Sequence, residues 1–273
     1  MIVRLKIGFA GDPEDRSASI ETQYDLPKST APRKSVVQIR FPDRGTTLAY
    51  YNDLFDLRIG DLVYVDGKLE GKQGRVVEVN YNFKIKRSDY KKVVALVDTD
   101  VRGRFYMAGS HFVAFDRTAL PGSKVATWFK APAKEDDEFV SGNDDTAFRL
   151  DNLEEMKVSP AVAERGHDYY LENRVRYICI DATHGYAVVE GSEAYEVEFD
   201  YRNGEISNLI CSCFCSYNCK HAFAAMLQLK ETLELIEKNY AAEYDRSDYF
   251  AAVAKGTLFS YAIDGKEHGS FTL

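Results

Sequence analysis

Cys211-Ser212-Cys213-Phe214-Cys215-Ser216-Tyr217-Asn218-Cys219-Lys220-His221 holds four of the chain's five cysteines and one of its five histidines. Thiolate sulfur and imidazole nitrogen are the donors a tetrahedral zinc ion prefers, and two close pairs joined by a short loop let one piece of chain supply all four corners. In an extended strand, side chains two apart point to the same side, so Cys211 and Cys213 can reach one ion together. Cys219 and His221 can do the same across the next turn. Cys211, Cys213, Cys219 and His221 are read as the ligands of one structural Zn2+. Cys215 lies on the same register and is the alternative metal ligand. The symmetry of the pairs 211/213 and 219/221 argues for leaving it out, with one exchange left open.

The flanking sequence sets the cluster between a strand and a helix. Strands are expected over 174–181, 185–190, 194–201 and 205–210, with Asn203-Gly204 the strongest hairpin signal in the chain. After the cluster, Ala222-Phe223-Ala224-Ala225-Met226-Leu227-Gln228-Leu229 is rich in good helix formers, which puts His221 in the first turn of a helix. Ser159-Pro160 starts another helix, with Ser as N-cap and Pro at the first helical position, running to about Leu171. The expected module, 159–240, is a helix plus antiparallel β-sheet with a zinc-bound strand-to-helix turn. In the tail, 241–273, a short helix over 247–255 ends at Gly256, and a hairpin follows about Asp264-Gly265.

The N-terminal part, 1–128, reads as mostly β. Short β-branched runs at 36–41, 62–65, 74–79 and 93–97 favour a small closed or half-closed barrel with its core at about 33–104, and Asp66-Gly67 is a plausible turn. Between the two parts, 129–158 carries Glu135-Asp136-Asp137-Glu138 and Asp144-Asp145 and is read as an acidic linker. The fold class is α+β.

A net charge of −8 hides an asymmetry. Over 33–104 fifteen Lys and Arg face ten Asp and Glu, a net of +5; over 160–236 six face twelve, a net of −6. In the basic part Tyr50, Tyr51, Tyr64, Tyr81, Phe83 and Tyr90 interleave with cations. Cations neutralise phosphates while aromatic faces stack on bases, so Lys68, Lys72, Arg75, Lys84, Lys86 and Arg87 are candidate nucleic-acid contacts. The competing reading puts half of these aromatics in the core and leaves the cations as a solvated surface. The acidic module would repel a phosphate backbone, so another protein is its expected partner, with DNA or RNA left to the basic part.

The rest of the sequence mainly excludes. No apolar run approaches the ~20 residues that cross a bilayer, and no signal peptide is evident, so no membrane association and a cytoplasmic location are expected. An odd, crowded cysteine set is unlike a secreted disulfide scaffold. Cys179 reads as a buried small hydrophobe, His111 as a structural side chain, and Trp128 as core or a domain edge. Neither a Ser/His/Asp spacing nor a carboxylate pair stands out, and three sulfurs plus an imidazole leave a zinc ion no open position for substrate, so no catalysis is expected.

Beyond these readings, Glu164-Arg165-Gly166-His167-Asp168-Tyr169-Tyr170, then Ala187-Val188-Val189-Glu190-Gly191-Ser192 with Tyr195-Glu196-Val197, then Cys-x-Cys-x5-Cys-x-His leading into a helix, resembles the SWIM zinc finger over about 75 residues. The resemblance implies that Cys211, Cys213, Cys219 and His221 bind zinc and that the module contacts DNA or protein, as in helicase- and transposase-associated members. The chain departs from that pattern in carrying Cys215, and it has no Gly-x-x-x-x-Gly-Lys-Ser/Thr phosphate loop for a motor. Leu57 to Val65 with Gly74 to Val79 bears a weaker resemblance to the small β-barrel of primosomal helicases, which implies contact with DNA ends.

Overall fold

Two antiparallel sheets organise the computed structural model, which describes residues 31–133, 147–215 and 218–263. The smaller is formed by β1 (Ser35–Phe41), β2 (Thr46–Asn52), β3 (Leu62–Val65), β4 (Gln73–Asn80) and β5 (Val93–Leu96), in the order β2-β1-β4-β3-β5. Alternation places Val37 and Ile39 of β1 on the inner face with Val63, Val65, Val76 and Val93, all fully buried. The described residues do not form a closed barrel. Edge strand β2 meets the residue just before β5 at a single parallel bridge, Tyr51 to Lys92, so the sheet curls without a closing ladder. β2 stops at Asn52, whose side chain turns the chain away by bonding Phe55 N (3.1 Å) and Phe55 O (2.7 Å). Asp66-Gly67 does mark a turn, with Gly67 at φ +82, but a 3-10 turn over Gly67–Leu69 replaces a two-residue hairpin.

The larger sheet has eight strands and draws on parts of the chain that the sequence reading separates. Its strands are β6 (Tyr106–Ala108), β7 (His111–Ala114), β8 (Phe148–Arg149), β9 (Val175–Asp181), β10 (His184–Glu190), β11 (Ala194–Arg202), β12 (Glu205–Cys211) and β13 (Tyr249–Ala254). Their order is β6-β7-β13-β9-β10-β11-β12-β8. Helices α1 (Gly122–Phe129), α2 (Pro160–Leu171), α3 (Lys220–Ser247) and α4 (Lys255–Ala262) complete the described chain.

The structure places several stretches otherwise than the sequence reading expects. Residues 106–114, assigned by sequence to the N-terminal domain, form β6 and β7 on the large sheet. The end of the acidic linker belongs to the core: Phe148 pairs with Ile206 of β12, and Phe148, Leu150 and Met156 are buried. The acidic stretch over 134–146 lies outside the described residues. The tail helix over 247–255 is instead β13, buried at all six positions between β7 and β9. A strand covered on both faces reads as a continuous apolar run, and Tyr249-Phe250-Ala251-Ala252-Val253-Ala254 is one, so tertiary burial overrides the helix propensity of its alanines. α4 occupies the place of the first hairpin strand, and the second lies in 264–273, outside the described residues.

The alternation of the central strands divides the large sheet into two cores. Ile178, Ile180, Val189 and Phe250 face α3, while Tyr177, Cys179, Val188 and Tyr249 face α1 and α4. α2 begins at Pro160 as its sequence predicts and crosses α3 closely at Gly166. A Cβ there would sit 2.8 Å from Phe223 Cδ1 and 3.0 Å from Lys220 O. Trp128 of α1 locks the two sheets together. Its indole Nε1 donates to Asp98 O (2.8 Å), and its own carbonyl accepts from Gln73 (3.2 Å) and Tyr261 (2.5 Å). No helix among the described residues is long and apolar enough to cross a membrane.

Candidate metal centre

β12 ends at Cys211, and the chain stays tied to β11 for one residue more. Val197 of β11 pairs with Cys211, Ser212 N donates to Glu196 O (2.9 Å), and Glu196 N donates to Ser212 Oγ (2.9 Å). Cys211 and Cys213 therefore flank a residue held by the sheet. Cys219 is the N-cap of α3, and its Sγ accepts from Ala222 N at 3.4 Å, the position a Ser or Asp oxygen takes in an ordinary cap. His221 follows in the first turn.

The structure brings together the four ligands named from sequence. One donor atom from each of Cys211, Cys213, Cys219 and His221 lies within 4.8 Å of the others. His221 Nδ1 is 3.9 Å from Cys211 Sγ and 3.7 Å from Cys219 Sγ. Zinc–sulfur and zinc–nitrogen bonds of ordinary length give tetrahedron edges of about 3.6–3.8 Å, so the spacing matches four corners around one ion. This is a Cys3His group that can hold one metal ion, consistent with a zinc finger. Cys215 is exposed and falls outside the group.

Packing sets the imidazole. His221 is buried, stacks on Tyr195 at 4.1 Å and 18°, and meets Tyr169 at a tilt of 57° and 5.5 Å. Nδ1 points at the thiols, so a metal there requires the ring proton on Nε2. Nε2 is buried and has no partner among the described residues. The Nε2 side of the ring is thus held by packing against two tyrosines and Gly191, where a Cβ would lie 3.3 Å from Nε2, while Nδ1 faces the thiols.

Charge supplies the second argument for a cation. The hydrogen bond from Cys211, followed by bonds from His221 and the Ala222 amide, pulls the Cys219 thiol well below its ordinary range. Sharing that bond with Cys219, and then burial, holds Cys211 far above the usual thiol range, and burial pushes Cys213 up to about 11. A second and third thiolate, crowded and largely out of water, need a cation among them.

The six basic candidates divide. Lys68, Lys72, Lys84 and Lys86 are exposed on the small sheet and its loops. Arg75 donates to Gly60 O (2.8 Å), and Arg87 pairs with Asp53 (3.0 Å). Of the interleaved aromatics, Tyr50, Tyr51 and Tyr64 are buried, and Tyr64 donates to Thr127 O (3.0 Å). Tyr81 is exposed beneath the Arg33 guanidinium at 3.9 Å. His111 and Cys179 sit where the structural readings put them. His111 is buried against Val175 O at 2.8 Å, and burial lifts the Cys179 thiol to about 11. Sequence reasoning missed the support given to the ligands by Tyr195, Tyr169 and Ser212, since nothing in a strand's alternation says which tyrosine will meet the histidine.

No known protein family matches the chain, and no solved structure does. A segment of 69 residues is 38% identical to an uncharacterized protein of Methanocaldococcus jannaschii. The match covers 25% of this chain and 29% of that protein, so the chain spans less than a third of its relative's length.

Proposed function

We propose that the Cys3His centre holds one structural zinc ion and that the module it braces is a non-catalytic docking element for another protein. The observation that carries the reading is the mutual approach of four donors within 4.8 Å; a zinc ion that took all four would have no corner left for water or substrate. The zinc would tie the end of β12 to the start of α3, and chelation would free both. The SWIM resemblance of the ligand spacing supports this, and so does the display of Phe214, fully exposed between the two ligand pairs. A phenylalanine held in water forgoes about 1.5–3 kcal/mol of burial, which a partner's apolar pocket would supply. The module's net of −6 over 160–236 fits a basic partner surface.

Crosslinking of wild type and Phe214→Ser, each with zinc content measured, tests this. A partner captured by wild type and lost with Phe214→Ser at full zinc supports the docking role; equal capture by both refutes it. Nucleic-acid binding by the small sheet is the second reading, favoured by the exposed Lys68, Lys72, Lys84 and Lys86. The burial of Tyr50, Tyr51 and Tyr64 counts against a stacking platform. Fluorescence anisotropy with single-stranded oligonucleotides across a salt series separates the two, because phosphate contacts weaken steeply with salt.

A further inference from the structure

On the face of the large sheet away from α3, the first turn of α1 leaves part of the sheet uncovered. A cleft of about 450 Å³ opens there, within the size range of small-molecule sites. Tyr186 forms the open part of its floor, with the nearly buried Cys179 and Tyr249 beneath, and Pro121 and Ala126 a wall. The wall stands close: a Cβ on Gly122 would lie 3.3 Å from Tyr186 Cδ1 and 3.7 Å from Cys179 Sγ.

The charges at its ends are already matched. At one end Arg117 binds Asp181 (2.9 Å), Ser247 O (2.7 Å) and Asp248 O (3.4 Å), with its guanidinium over Tyr249 at 5.3 Å. At the other, Glu196 accepts from Lys130 (2.9 Å) on one oxygen and from Tyr186 OH (3.1 Å) on the other. The cleft therefore demands neither a cation nor an anion. It offers flat apolar surface with a hydrogen-bonding edge: the Ser123 hydroxyl, the His184 imidazole and the second oxygen of Asp181.

We propose that this cleft binds an uncharged planar heteroaromatic molecule of nucleoside size. A flat ring covers Tyr186 and the Pro121–Ala126 wall, and its N–H groups meet the carboxylate and imidazole at the edge. Arg117 is already committed to Asp181 and two carbonyls and Lys130 to Glu196, so a phosphate would meet no uncommitted guanidinium or ammonium there, and the neutral nucleoside is preferred over its nucleotide. Glu196 follows Tyr195 on β11, so the cleft and the candidate metal centre lie on opposite faces of one strand, which is why the titration uses zinc-loaded protein.

The test is calorimetric titration of the full chain, zinc-loaded, with adenosine, guanosine, cytidine and uridine, and with adenosine monophosphate for comparison. At least one nucleoside is expected to saturate below about 1 mM. Ser123→Trp, an exposed rim position, and Ala126→Phe should each weaken it about tenfold or more. Ser123 is solvent-facing, so its variant remains informative if Ala126→Phe fails to fold. Absence of saturable binding by all four nucleosides overturns the proposal. So does binding that Ser123→Trp leaves unchanged, or a nucleotide bound tighter than its nucleoside.

Discussion

Gly191→Ala should weaken zinc binding without removing a ligand. Gly191 has no positive φ, so its backbone accepts alanine, and the consequences come from the new methyl alone. That methyl would lie 2.8 Å from Tyr195 Cε2 and 3.3 Å from His221 Nε2. Carbon atoms rest about 3.5–4.0 Å apart, so the tyrosine ring must withdraw by roughly 0.7 Å or more. Withdrawal disrupts the stack that orients His221. An aromatic stack contributes about 0.5–1.5 kcal/mol and overpacking costs about 1–3 kcal/mol, and the partly exposed Tyr195 can relieve some of the strain. A net loss of about 1–2 kcal/mol corresponds to zinc held about 5- to 30-fold more weakly. Competition against a chromophoric chelator measures this directly. Gly256→Ala, where nothing lies within 4 Å of the new methyl, is the control and should bind zinc as wild type does. A folded Gly191→Ala protein with zinc affinity within about twofold of wild type would refute the claim that the tyrosine stack positions the imidazole.

Gly185 of β10 faces Phe199 of β11, and a Cβ there would meet Phe199 Cε2 at 2.0 Å, so Gly185→Ala should lose about 2–3 kcal/mol in urea denaturation. His111 should dominate one part of the acid limb. Burial lowers it from 6.5 to about 4. The unfolded chain therefore takes up a proton that the folded chain refuses, and stability falls as pH drops from 6.5 toward 4. The loss approaches about 3 kcal/mol, and His111→Gln should flatten that limb in zinc-saturated denaturation series compared at each pH. Arg117 clamps β9 to the end of α3, but it is half exposed, so Arg117→Ala should cost at most about 1 kcal/mol in the same assay.

The metal centre was legible because its information is local. Residue types and two i, i+2 pairs on a strand-to-helix turn state a geometry that distant contacts do not alter, and Asn203-Gly204 and Ser159-Pro160 are legible for the same reason. The order of the large sheet was not. Tyr249-Phe250-Ala251-Ala252-Val253-Ala254 becomes a strand because β7 and β9 cover its two edges, and those partners lie about 70 to 140 residues upstream. Phe148, Leu150 and Met156 were hidden by the acidic run before them, since composition averages over a window and burial is decided residue by residue. In the small sheet, short strands with tight turns specify curvature, which suggests a barrel, but do not specify whether the last edge pairs.

Metal analysis of the purified protein beside Cys215→Ser and Cys219→Ser tests the central claim most directly. One zinc per chain is predicted for wild type and for Cys215→Ser, with zinc lost from Cys219→Ser together with a sharp fall in melting temperature, because Cys219 is both a proposed ligand and the cap of α3. Full zinc in Cys219→Ser, or its loss from Cys215→Ser, would contradict the assignment.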